Sequence, residues 1–121
     1  MRKTDLLGPW GEDLAAKFLK RAGYAVVACN YHSRFGEIDL IVKDKHYIVF
    51  VEVKLRKSAQ FTSAREYVDY RKQKKIIATA SMWLSFNETE LQPRFDVIEI
   101  YAPRGQMTDK PELIHWKDAF S

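Results

Sequence analysis

The sequence predicts an α/β fold, with a mixed central β-sheet and helices packed against it. Three observations lead there: an amphipathic stretch at helical spacing near the N-terminus, a group of strand-like runs after it, and a second helical stretch that precedes further strand-like runs. Helices and strands interleave along the chain, the order expected of helical layers covering a sheet. With 121 residues, 46% of them hydrophobic and 30% charged, the chain fits one domain spanning residues 1–121.

Residues 11–22, GEDLAAKFLKRA, place Leu14, Ala15, Phe18, Leu19 and Ala22 on one helical stripe, and Gly23 closes the element. YAVVAC is then a short strand, and NYHSRFG a polar turn ending in glycine. EIDLIV alternates with a period of two, YIVFVEVK is almost continuously apolar, and the charged KDKH between them makes the pair a hairpin. Such a continuous run belongs at the centre of a sheet, where both faces are covered. The stretch LRKSAQFTSAREYV has no clear period and is expected to contain a mobile loop. A second helix is predicted from about Asp69 to Phe86, with Ile76, Ile77, Ala80, Trp83 and Leu84 as its apolar stripe. RFDVIEIYA is another strand, Pro103-Arg104-Gly105 opens a turn, and ELIHWKDAF is a last short strand or a terminal turn.

Composition removes several classes of function. Cys29 is the only cysteine, so there is no intrachain disulfide, and the thiol is expected to be buried at a strand end. No apolar run is long enough for a membrane span, and the N-terminus lacks the apolar region of a signal peptide, so a cytoplasmic protein with no membrane partner is expected. There is no glycine-rich phosphate loop, which argues against a nucleotide cofactor. His32, His46 and His115 show no metal-ligand spacing and are expected in turns or at the surface. Trp10, Trp83 and Trp116 are expected in packing roles, with Trp10 and Phe61 the aromatics placed in mobile segments.

What the core does not explain is a set of charges in the strands best able to build it. Side chains alternate along a strand, so Glu37 and Asp39 are expected on one face of their strand, and Glu52 and Lys54 on one face of the next. Antiparallel pairing around KDKH would bring Asp39 toward Glu52. Two adjacent carboxylates repel, and a divalent cation relieves that repulsion. Hard oxygen donors suit Mg²⁺, with Mn²⁺ as a substitute. Such an ion orients a phosphodiester and activates water, and Lys54 is placed to hold that water or to stabilise phosphoryl oxygens. The net charge of +4 is modest, but Lys54, Arg56 and Lys57 cluster after one strand and Arg71, Lys72, Lys74 and Lys75 in one stretch of helix. Arg56, Lys72, Lys74 and Lys75 are the residues expected on nucleic-acid phosphates.

GEDLAAKFL, Asn30, GEIDLIV, FVEVKLR, Lys72 and RFDVIEI together resemble the bacterial YraN-like family over almost the whole chain. That family is similar to the restriction-endonuclease-like PD-(D/E)xK superfamily and to archaeal Holliday-junction resolvases. The resemblance implies a restriction-endonuclease-like core, a Mg²⁺- or Mn²⁺-dependent nuclease acting on DNA, and a homodimer able to make paired cuts. Asp39 fits the first carboxylate of the superfamily motif. Glu52, Val53 and Lys54 fit its Glu-x-Lys element, with the Val53 carbonyl as a further metal ligand, and Glu12 matches a first-helix glutamate of the resolvases. The proline that names the motif is absent, since Ile38 precedes Asp39.

Each residue also has a plainer reading. Asp39 and Glu52 could form a structural ion pair with Lys54, and Glu12 could simply favour its helix N-terminus. Glu37 is a secondary candidate, as a supporting acceptor or a turn residue. Asp96 is read as structural, paired with Arg94. The competing function is a nucleic-acid-binding or scaffold protein that keeps the fold without the chemistry.

Overall fold

The computed structural model describes residues 3–57 and 69–121, with the side chains of the first helix described from Pro9 onward. The element order is α1 (Lys3–Arg21), β1 (Ala25–Ser33), β2 (Gly36–Lys43), β3 (Tyr47–Arg56), α2 (Tyr70–Phe86), β4 (Gln92–Tyr101) and β5 (Glu112–Phe120). The expected loop falls largely on residues 58–68, Phe61 among them, which lie outside the described residues.

The strands form one sheet in the order β1-β2-β3-β4-β5. β3 and β4 run parallel and the other neighbours antiparallel, which makes the sheet mixed. Parallel neighbours need a crossover, and α2 lies within it. β3 is central, as its apolar run predicts: Ile48, Val49, Phe50 and Val51 are all buried.

A helix covers each face. On one, Ala15 and Leu19 of α1 pack with Leu40, Val42, Val49, Val51, Ile98 and Ile100. On the other, Ile76, Ala80 and Trp83 of α2 pack with Ile41, Ile48, Phe50, Val97 and Phe120. Gly11 allows close approach on the α1 side, because a Cβ there would lie 3.2 Å from a methyl carbon of Leu55.

Several expectations are corrected. α1 begins at Lys3 and continues through Pro9, with Trp10 packed on the α1-side core. β1 does not stop at Cys29 but pairs on through Tyr31↔Ile38, His32↔Glu37 and Ser33↔Gly36, leaving only Arg34 and Phe35 to turn the chain. Cys29 is exposed because β1 is an edge strand with a wet side. ELIHWKDAF, by contrast, takes the strand alternative expected for it, as β5 paired with β4.

Candidate active site

β2 and β3 pair from Lys43↔Ile48 to Leu40↔Val51, and the ladder stops just before Asp39 and Glu52. The two carboxylates therefore stand where the strands part. Ile38 and Ile41 both pack on the α2 side whereas Leu40 and Val42 pack on the α1 side, so the expected alternation breaks at Asp39. The Asp39 carboxylate turns to the neighbouring strand, where its Oδ2 accepts the Val53 N–H at 2.8 Å.

Glu52 follows Ile48 and Phe50 onto the α2 side and is only 8% exposed. Its Oε1 meets two ammonium groups, Lys72 Nζ from α2 at 2.7 Å and Lys54 Nζ at 3.6 Å. α2 holds Lys72 in place through its cap, since Asp69 accepts the Lys72 backbone N–H at 2.8 Å. Gly36 lets the β1–β2 turn close on the same helix. A Cβ there would lie 3.4 Å from both Lys75 Cβ and Thr79 Oγ1, and its φ of +155° suits glycine.

These contacts pull the titratable groups apart. Burial, joined by the charge of Glu52, pushes the Asp39 carboxyl up to about 7 despite the Val53 hydrogen bond. Burial also raises Glu12, against a hydrogen bond from Asn30 and with help from the charges of Glu37, Glu52 and Asp13. The Lys54 ammonium is lowered by burial and by neighbouring Lys72, more than Glu52 restores. Lys72 is raised, because Glu52 overcomes the effect of burial.

Glu12 of α1 thus joins the same electrostatic neighbourhood as Glu52, and Asn30 links it to β1. Asn30 adopts φ 50°, a left-handed conformation that asparagine tolerates, and faces Asp39 in the β1–β2 register between Cys29↔Leu40 and Tyr31↔Ile38. Its side-chain role escaped a reading that placed it in a turn. Among the described residues, no three His, Cys, Asp or Glu side chains converge tightly enough to hold an ion.

The remaining candidates are spread out. Glu37 is exposed, 3.3 Å from His32 Nδ1. Arg56 lies with its Nε 3.7 Å from Glu99 Oε2. Lys75 lines a depression of about 290 Å³ with Gly36, Glu37, Asp69, Arg71, Lys72 and Ile76. Lys74 places its ammonium 4.6 Å from the centroid of the Tyr70 ring.

Two buried acids on β4 complete the electrostatics. Asp96 takes Arg94 Nε and Nη2 at 2.9 and 2.8 Å, His115 Nε2 at 2.6 Å and the Asp118 N–H at 3.0 Å. The Arg94 pairing matches the structural reading. His115 does not sit at the surface as expected, because burial beside Asp96 satisfies it. Glu99, which the strand pattern gave no reason to single out, is fully buried and accepts from Tyr101 Oη at 2.5 Å and from Trp116 Nε1.

The fold and site define an α/β protein with a mixed sheet between helices and a carboxylate–lysine cluster at the open end of its central hairpin. Residues 11–100 match the uncharacterised protein family UPF0102, to which the chain belongs. Among its relatives, a UPF0102 protein of Caldanaerobacter subterraneus is 44% identical over 103 residues, covering 84% of each chain. One from Rhodococcus jostii is 41% identical over 94% of this chain and 95% of its own, and one from Flavobacterium psychrophilum 33% identical over 99% and 98%. No helix among the described residues is long and apolar enough to cross a membrane.

Proposed function

We propose that this protein is a metal-dependent endonuclease of the restriction-endonuclease-like PD-(D/E)xK type, which hydrolyses phosphodiester bonds in branched or distorted DNA. One observation carries the reading: Asp39 and Glu52 stand together where β2 and β3 separate, with Lys54 and Lys72 on the same carboxylate. A purely structural arrangement gains little from an aspartate whose carboxyl is pushed up to about 7 by burial and a neighbouring acid.

The donor chemistry, oxygen atoms only, is of the kind a hard cation takes. Asp39, Glu52 and the Val53 carbonyl would hold Mg²⁺ or Mn²⁺, with Glu12 contributing from α1. Such an ion, when bound, supplies Lewis-acid polarisation of the phosphate and a more acidic water. The protein's own groups do the rest. Lys54, with its ammonium already lowered, holds the nucleophilic water and can pass on a proton. Lys72 is free to exchange Glu52 for a phosphoryl oxygen as charge develops there. Arg56, Lys74 and Lys75 bind the DNA backbone, and a homodimer in the cytoplasm would make paired cuts.

The test is cleavage of a panel of duplex, flap, junction and single-stranded DNA by purified protein with Mg²⁺ or Mn²⁺. D39A and E52A are each expected to reduce cleavage by at least about 10²-fold, the scale of losing a positioned catalytic group. Cleavage that both variants retain would sink the assignment. A second reading, a binding or scaffold protein without turnover, is favoured by the 2.7 Å Lys72–Glu52 contact, which already satisfies one carboxylate. It expects DNA binding that weakens with salt, unchanged by D39A and lost on charge reversal at Lys72, Lys74 and Lys75.

A further inference from the structure

The depression beside the site is bordered by two elements, and each carries an exposed aromatic ring next to a lining residue. Phe35 precedes Gly36 in the β1–β2 turn, and Tyr70 lies between Asp69 and Arg71 at the start of α2. Tyr70 is 70% exposed and Phe35 39%. Among the described residues, neither ring belongs to a core cluster.

Both rings carry a cation. The Arg34 guanidinium lies 4.9 Å from the Phe35 centroid, and the Lys74 ammonium 4.6 Å from that of Tyr70. A cation over an aromatic face orders the ring and places positive charge within reach of whatever stacks beside it. Arg71, Lys72 and Lys75 add charge along the lining between the two elements. The acids there are already engaged, Asp69 as the α2 cap and Glu37 beside His32. Lys72 lines the depression and pairs with Glu52, so the depression and the carboxylate site share that side chain.

We infer that Phe35 and Tyr70 form a stacking platform for unpaired bases of the DNA substrate, with Arg34, Arg71, Lys74 and Lys75 on the adjoining phosphates. Stacked aromatic rings interleaved with cations are the physical requirement for gripping a single strand without reading its sequence. In a paired duplex the base faces are covered by their neighbours, so the rings have nothing to take. This inference rests on the nuclease reading for its substrate, and it narrows that substrate to DNA whose strands separate near the cut.

The test measures binding alone, by fluorescence anisotropy in EDTA, where metal-dependent cleavage is silent. Labelled oligothymidylate, an abasic oligomer with the same number of phosphates, and a blunt duplex are titrated against the full chain and its F35A, Y70A and Y70F variants. The wild type is expected to prefer oligothymidylate over the abasic strand. F35A and Y70A should each weaken oligothymidylate binding by about tenfold, the scale of losing one stacked base. Both should leave abasic and duplex binding within about twofold, and Y70F should keep wild-type affinity. Because Tyr70 projects into solvent, these changes are separable from folding, and circular dichroism of each variant checks that. Equal wild-type affinity for the abasic strand, no DNA binding at all, or full affinity in both alanine variants would overturn the platform. Base-dependent binding without metal-dependent cleavage would sink the nuclease reading and leave the platform standing.

Discussion

Asp39 and Asp96 are aspartates on strands of the same sheet, and their surroundings push them in opposite directions. Burial would raise both. At Asp96 the hydrogen bonds from His115, Arg94 and the Asp118 N–H outweigh it, and the carboxyl is held below its usual range. At Asp39 burial and the charge of Glu52 outweigh the Val53 N–H and the charge of Lys72, and the carboxyl rises to about 7. An acid that a fold uses for stability is surrounded until its charge is welcome. An acid left raised beside another acid is the kind of group in which functional sites are enriched.

The largest expected effect breaks the stable side of this pair. Asp96→Ala strands Arg94 and His115 without their acceptor and should cost about 3–5 kcal/mol in urea unfolding, the scale of uncovering a buried charge. A loss below about 1 kcal/mol would show the network to be incidental.

Next comes the cation. At pH 8, Mg²⁺ or Mn²⁺ at a hundred times its dissociation constant should stabilise the wild type by about 2.7 kcal/mol. Thermal unfolding of D39N and E52Q should show little of that gain. Equal stabilisation of all three proteins would place the ion elsewhere.

A smaller effect separates the two aspartates by pH. The folded-state pKa of Asp39 is raised, so the native state holds its proton more tightly than the unfolded chain does. Stability contributed there is present below the ordinary carboxylate range and is lost as pH climbs toward about 7. Asp39→Asn should therefore gain about 1–3 kcal/mol over wild type at pH 8 compared with pH 4. Asp96 has the opposite sign, with its stability present above the ordinary range and lost as acid protonates it. Unfolding curves across pH for Asp39→Asn and Asp96→Asn should diverge; parallel curves would erase the distinction.

The smallest change tests the scaffold. Gly36→Ala places a Cβ 3.4 Å from Lys75 Cβ at a φ of +155° and should cost about 1 kcal/mol or slightly more.

The parts of this molecule legible in the sequence are those governed by local pattern. The apolar run of β3, the stripe of α2 and the charged KDKH turn each announce their element, and pairing around that turn would bring Asp39 toward Glu52. Other features depend on partners distant in the chain. β1 continues through Asn30 because β2 supplies its hydrogen bonds, and α1 runs on through Pro9. His115 is buried because its pairing with Ile98 sets it diagonally across from Asp96 on the neighbouring strand. Glu99 is paired across strands with Ile114 and Lys54, relations a single strand cannot display. The twist that turns Asp39 toward Val53 is likewise invisible to a rule of strict alternation.

The crossover between β3 and β4 also bears on the order in which this protein assembles. β1, β2 and β3 are joined by short turns and can associate locally, whereas β4 must wait for a long closure that includes α2. Asp39 and Glu52 both lie in that locally connected meander, whereas Lys72 comes from α2, beyond it in the chain. Refolding should accordingly quicken in mild acid or in the presence of divalent cations, either of which quiets the two carboxylates during the interval before their lysine arrives.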